Sequence, residues 1–156
     1  MAPTARIHVR QAVVGDLDAL TPLFDAYRVF YGQPSDPALA RSFLHERLAH
    51  LQSVVFLAQS EEGAVMGFTQ LYPSFSSVSA APIYILNDLY VSPDARRCGA
   101  AAQLLDAAAA FGRSVGAVRL SLSTATTNHP AQALYAAHGW VRDDDFWHFQ
   151  LALPSA

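Results

Sequence analysis

The sequence predicts an α/β fold, a mixed and mainly antiparallel sheet with about four helices on its faces. Two observations carry that prediction. Strand-like segments follow one another in the first half, joined by a hairpin signal, which implies antiparallel neighbours. In the second half each strand-like segment is separated from the next by a helical one, which implies crossover connections behind the sheet. No linker, repeat or low-complexity tract interrupts the 156 residues, a length suited to one domain, 1–156, with a substantial core.

The elements follow in order. "RIHVRQAV" alternates through Ile7 and Val9 and reads as the opening strand. "GDLDALTPLFDAYRVFYG" places Asp16 to cap a helix, with Leu17, Leu20, Leu23, Phe24, Tyr27, Phe30 and Tyr31 on a broad apolar face and Gly32 at its end. "SDPALARSFLHERLAHL" repeats the logic: Ser35 or Asp36 caps, Pro37 opens, and Leu39, Phe43, Leu44, Leu48 and Leu51 form the stripe to be buried. "SVVFLAQ" and "AVMGFTQLYPSF" are β-rich and joined by "SEEG"; "PIYILNDLYV" is the next strand. A helix over about 99–115, the strand "VRLSLST", a short helix in "NHPAQALYAAHGW", a turn at "RDDD" and a closing strand "FWHFQLAL" complete the chain.

Composition narrows the function. With 52% hydrophobic and 15% charged residues the chain is apolar for a soluble protein, yet no apolar run approaches the ~18 residues needed to cross a bilayer. The first residues lack a secretory pattern, so a cytoplasmic protein is expected, with no membrane partner. A single cysteine excludes an internal disulfide, and six scattered histidines give no metal-ligand spacing, so no metal is expected. The net charge of −3 and the lack of a basic block beyond Arg96–Arg97 argue against nucleic acid as a partner.

Those two arginines stand at a strand-to-helix turn, "YVSPDARRCGAAAQLL". Such a turn exposes unpaired backbone amides at the positive end of a helix dipole, a site for phosphate. Gly99 allows close approach, Ala100, Ala101 and Ala102 keep side chains clear, and Arg96 and Arg97 add charge-assisted bonds. A Walker loop and a dinucleotide fingerprint both fail for lack of their residues.

The loop, Arg96-x-x-Gly99-x-Ala101, resembles the acetyl-CoA signature of the GCN5-related N-acetyltransferases (GNAT). "NHPAQALYAAHGW" resembles that family's second motif, Asn-x-x-Ala-x-x-Leu-Tyr-x-x-x-Gly-Phe/Trp. In detail "LNDLYV" is similar to the diamine acetyltransferase and Hpa2-like branch, with Asn87 where that branch carries glutamate and Asp88 kept. The resemblance implies the family's twisted sheet of six to seven strands, acetyl-CoA as donor, a small-molecule amine as acceptor, and a homodimer. It implies that Tyr135 protonates the departing CoA thiolate, and that backbone groups of Leu89, Tyr90 and Val91 hold the pantetheine arm. Asn128 and Ala131, which share a helix face with Tyr135, stand beside that arm, and Asn128 also reads as a helix N-cap next to Pro130. Asp88 reads either as a general base acting through water or as a charge that orients the amine; the alternative is a carboxylate satisfied by backbone donors beside a bulge. Asn87 cannot take a proton and would position water or amine. Tyr27 and Tyr31, with Arg28, at the end of the first helix resemble the family's acceptor side. Cys98, at a helix N-terminus, reads more simply as a small loop residue than as a nucleophile. Protein amines and a catalytically silent acyl-CoA-binding module are the alternatives to a small-molecule acetyltransferase.

Overall fold

The computed structural model describes residues 6–155. Its chain order is β1 (Ile7–Gln11), α1 (Leu17–Phe30), α2 (Pro37–Ala49), β2 (Val54–Ser60), β3 (Val65–Ser76), β4 (Ala81–Val91), α3 (Ala100–Ser114), β5 (Leu120–Ser121) and α4 (His129–Ala137). Two compact units divide the chain after Ser123.

The first unit holds one five-stranded sheet, ordered β1-β2-β3-β4-β5. Neighbours are antiparallel from β1 to β4, and β5 joins β4 in parallel through the α3 crossover. Helices cover both faces. Leu20 and Phe24 of α1 and Leu44 and Leu48 of α2 pack with Val55, Leu57 and Phe68. On the opposite face Ala100 and Leu104 of α3 pack with Ala58, against which Val9 and Phe56 lie. Burial of these side chains, each contributing roughly 1.5–3 kcal/mol when large and apolar, holds the layers together.

Local chemistry sets the helix ends. Asp36 caps α2, accepting from the Leu39 amide at 3.1 Å, and Gly32 takes φ +86° just past α1. Asp16 occupies the capping position of α1 but does not cap it with its side chain. Its carboxylate instead accepts from Arg10 at 2.9 and 2.7 Å and from the Val13 amide at 2.8 Å, a stronger charge-assisted partnership.

Several sequence expectations are corrected. The sheet has five strands rather than six to seven among the described residues. The closing segment 146–153 forms no strand, and its odd-numbered side chains stand in solvent, Trp147 at 86% exposure. Alternation alone cannot make a strand without a neighbour's backbone to pair with. "VRLSLST" contributes only Leu120 and Ser121. The apolar stripes are shorter than their periodicity implied: Phe30, Tyr31, Leu39 and Leu51 are exposed, because the chain leaves the sheet at each helix end.

One irregularity positions the site. Leu71 pairs with Leu86 but Gln70 pairs with Asp88, so Asn87 is an extra residue, a bulge in β4. It reverses which side chains face which layer. Before it, Tyr84 meets Phe111 of α3, ring centroids 5.1 Å apart. After it, Tyr90 faces α1, 6.3 Å from Tyr27, and Asp88 faces the same way.

Candidate active site

The bulge delivers Asp88 into a pocket between α1, α2, β3 and β4. The cavity, of about 340 Å³, is lined by Phe24, Tyr27, Arg28, Leu39, Ala40, Phe43, Tyr72, Asn87 and Asp88. Asp88 is 1% exposed. Its carboxylate accepts from Gln70 Nε2 at 2.7 Å and from Asn87 Nδ2 at 2.7 Å. Its backbone carbonyl accepts from the Thr69 hydroxyl at 2.8 Å. Side-chain donors therefore hold this carboxylate, not the backbone donors of the alternative reading. Burial pushes the carboxyl above the ordinary aspartate range, and the bonds from Asn87 and Gln70 only partly offset it. The Oε1 atom of Gln70 is buried without a partner. Burial, with the charge of Asp88 added, also pushes the Tyr27 and Tyr72 phenols up, so both keep their protons at neutral pH.

Of the residues placed on the acceptor side, Tyr27 and Asn87 line this pocket and Tyr31 does not. Tyr27 donates to the Asn87 carbonyl at 3.3 Å. Tyr31 is 60% exposed and packs edge-on against Tyr27, 5.0 Å between centroids. Sequence reasoning placed Arg28 on the acceptor side and missed Gln70, Tyr72 and Phe43 as pocket residues. The polar pair Thr69–Gln70 inside the otherwise apolar "GFTQLY" was the available signal, since a fully buried polar pair needs a partner.

A second feature lies farther along β4. The ladder with β5 ends at Ile85 and Ser121, while the inner side of β4 stays paired with β3 to Val91. Leu89, Tyr90 and Val91 therefore offer outer-edge backbone groups that no ladder uses. The fit on the inner side is tight: a Cβ on Gly67 would lie 2.7 Å from the Tyr90 carbonyl oxygen. Beyond Val91 a single helical turn, Pro93–Ala95, leads to Arg96. The Arg96 Nε donates to the Val91 carbonyl at 3.2 Å, and its guanidinium sits 6.0 Å above the Tyr90 ring. Arg97 takes φ +62° and Gly99 φ +85° immediately before α3. Two left-handed residues flanking Cys98 turn the amides of this loop to one side, a concave arrangement suited to an anion, and the first-turn amides of α3 have no preceding carbonyl to bond. A Cβ on Gly99 would meet no atom within 4 Å, so the glycine is needed for its conformation and keeps open space clear. Ala100 is buried, Ala101 and Ala102 are half-buried, and the Cys98 thiol donates to the Ala95 carbonyl. The donor set, amides and two arginines, fits a pyrophosphate.

The second unit is built around α4. Asn128 caps it, accepting from the Ala131 amide at 3.3 Å, with Pro130 in its first turn. Gln132 Nε2 ties the preceding loop down through the Ala125 and Thr126 carbonyls, each at 3.1 Å. Tyr135 is half-buried, its ring 6.1 Å from that of Trp140. Gly139 at φ +85° ends the helix. Among the described residues no group of three or more His, Cys, Asp or Glu side chains is arranged for a metal, and no helix is long and apolar enough to cross a membrane.

Residues 19–140 match the model of the acetyltransferase (GNAT) family. The chain is 46% identical over 149 residues to the N-acetyltransferase YhfO of Bacillus subtilis, covering 96% of this chain and 99% of the relative. It is 28% identical over 116 residues to an aminoglycoside N(6')-acetyltransferase type 1 of Serratia marcescens, covering 72% of this chain and 77% of the relative. The crystal structure of a probable acetyltransferase superposes with a TM-score of 0.91 at 42% identity, covering 96% of this chain and 99% of that one.

Proposed function

Since the chain belongs to the GNAT family and is an acetyl-CoA-dependent N-acetyltransferase, we propose that it acetylates the primary amine of a small molecule held in the Asp88 pocket. The observation that carries this reading is the pocket itself. A buried carboxylate with a raised pKa lines an aromatic cavity, on a strand whose outer edge beyond Ile85 is used by no ladder. A carboxylate so placed holds an ammonium and takes its proton, directly or through a water bonded to Asn87.

The reaction is direct. The neutral amine attacks the thioester carbonyl, an N–C bond forms, the C–S bond breaks, and one proton is lost from nitrogen. Backbone groups along Leu89, Tyr90 and Val91 hold the pantetheine arm and polarise the carbonyl. The pyrophosphate lies on the loop of Arg96, Arg97, Cys98, Gly99, Ala100, Ala101 and Ala102. Tyr135 supplies the proton that the leaving thiolate takes up, and Asn128 and Ala131 stand beside the same arm. The fold acts as one domain and pairs as a homodimer. A cavity of about 340 Å³ suits a small amine better than a folded protein's side chain presented on its surface.

The test is thiol release from acetyl-CoA over a panel of small amines and a peptide amine. Turnover confined to the peptide, or none with any amine in an enzyme that still binds CoA by calorimetry, would overturn this reading.

A further inference from the structure

The pocket contains a charge that an amine acceptor alone does not explain. Arg28, in the last turn of α1, lines the cavity with Asp88. It makes no ion pair among the described residues, and its Nη1 is buried without a hydrogen-bond partner. Asp25 is the nearby carboxylate, but it is committed elsewhere. It accepts from the Ser35 hydroxyl at 2.6 Å and the Asp36 amide at 2.8 Å. Those two bonds hold its carboxyl low, and the charge of Arg28 acts on it only as a lesser, through-space contribution. A cation serving the helix dipole alone would do so from the surface, fully hydrated. An uncompensated guanidinium against an aromatic wall is costly, and an anionic group from a ligand relieves that cost.

Resting on the reading of this pocket as the acceptor site, we infer that the acceptor carries a carboxylate as well as its reacting amine. It is an amino acid with an apolar side chain, amine toward Asp88 and carboxylate toward Arg28. The planar fork of arginine matches a carboxylate with two parallel bonds. Phe24, Tyr27, Phe43 and Tyr72 supply apolar wall for the side chain. A polycationic sugar of the kind the Serratia relative's name specifies would instead bring further positive charge toward Arg28.

The experiment compares acceptors that differ only in the carboxylate: leucine against 3-methylbutylamine, and phenylalanine against 2-phenylethylamine. Kanamycin and the aminophosphonate analogue of leucine are added as polycationic and phosphonate arms. The expected kcat/KM for each amino acid exceeds that of its decarboxylated partner by about 10-fold or more. In Arg28→Met that ratio falls toward one, and Arg28→Lys restores part of it. A wild-type ratio at or below one, a preference for kanamycin or for the phosphonate, or a ratio unchanged in Arg28→Met overturns the inference while leaving the acetyltransferase reading intact. If no amine turns over, the proposed chemistry of the pocket fails. Calorimetry of leucine against 3-methylbutylamine on CoA-loaded wild type and Arg28→Met then decides the role of Arg28 separately. Should Arg28→Met not fold, the wild-type pairs and Arg28→Lys still decide it.

Discussion

The two ends of the β4 site solve opposite problems. Around Asp88 the protein satisfies its own carboxylate: Gln70 and Asn87 donate to it, and water is largely excluded. Around Gly99 it leaves donors unused, with loop and first-turn amides facing open space beside two exposed arginines. The first arrangement stores chemistry in a shifted pKa, and the second stores affinity in unmet hydrogen bonds. Substitutions at the pocket should therefore change rate and pH dependence, whereas substitutions at the loop should change binding.

The largest break in that contrast comes from Gly99→Asp. The new side chain is strained at φ +85° and places a carboxylate on the loop proposed to hold the pyrophosphate, so acetyl-CoA binding measured by calorimetry should be lost. Asp88→Asn follows, with an expected fall in kcat of ~10²–10⁴-fold, the range of general-base assistance. The acidic limb of its pH–rate profile should vanish, because in the proposed mechanism activity requires ionised Asp88 and rises with pH through its raised pKa. A limb that stays while acceptor KM rises would make Asp88 an orienting charge instead. Its effect on stability has the reverse sign. With the native pKa raised, the contribution of Asp88 is full below the unfolded carboxyl's pKa and is lost as pH rises through the native value. Thermal melts at pH 4 and pH 8 should thus differ less in Asp88→Asn than in wild type. That comparison is clean because Gln70 can turn its unpartnered Oε1 toward the new amide.

Tyr135→Phe keeps the ring and deletes the hydroxyl. We expect kcat to drop about 10²-fold with acetyl-CoA affinity nearly unchanged; a wild-type kcat where chemistry limits turnover would remove Tyr135 from the mechanism. The smallest effect belongs to Arg96→Ala, which should weaken CoA binding by roughly 1.5–3 kcal/mol, the worth of a hydrogen bond to a charged group. No change by calorimetry would mean that Arg96 serves only Val91 and Tyr90.

The same contrast explains what could be read in advance. The loop was legible because its residues are contiguous: one glycine in a left-handed turn, small residues after it and arginines before it leave a pattern in the string. The capping of α4 by Asn128 and of α2 by Asp36 was legible for the same reason. The pocket was not, because Phe24, Arg28, Phe43, Tyr72 and Asp88 come from four elements and meet only through packing. Asp88 itself stood out, yet its partner Gln70 depends on β-register, which a local pattern does not specify. The segment 146–153 misled in the opposite way, since its alternation describes a surface suited to a sheet and says nothing of whether a backbone lies beside it.

The bulge at Asn87 has a consequence for how this site tolerates change. Were β4 to run straight through Asn87 as an ordinary paired residue, strict alternation would send Asp88 toward α3 and Leu89 toward α1. Every pocket side chain would survive in the sequence, yet the cavity would face a leucine and the carboxylate would be pressed into the α3 layer. The acidity of the pocket thus rests on one residue being left out of the strand pairing. A gain or loss of one residue at the exposed turn of 61–63 leaves that pairing alone, while flattening the bulge, four strand positions before the end of β4, would rewrite the chemistry without altering a single functional side chain.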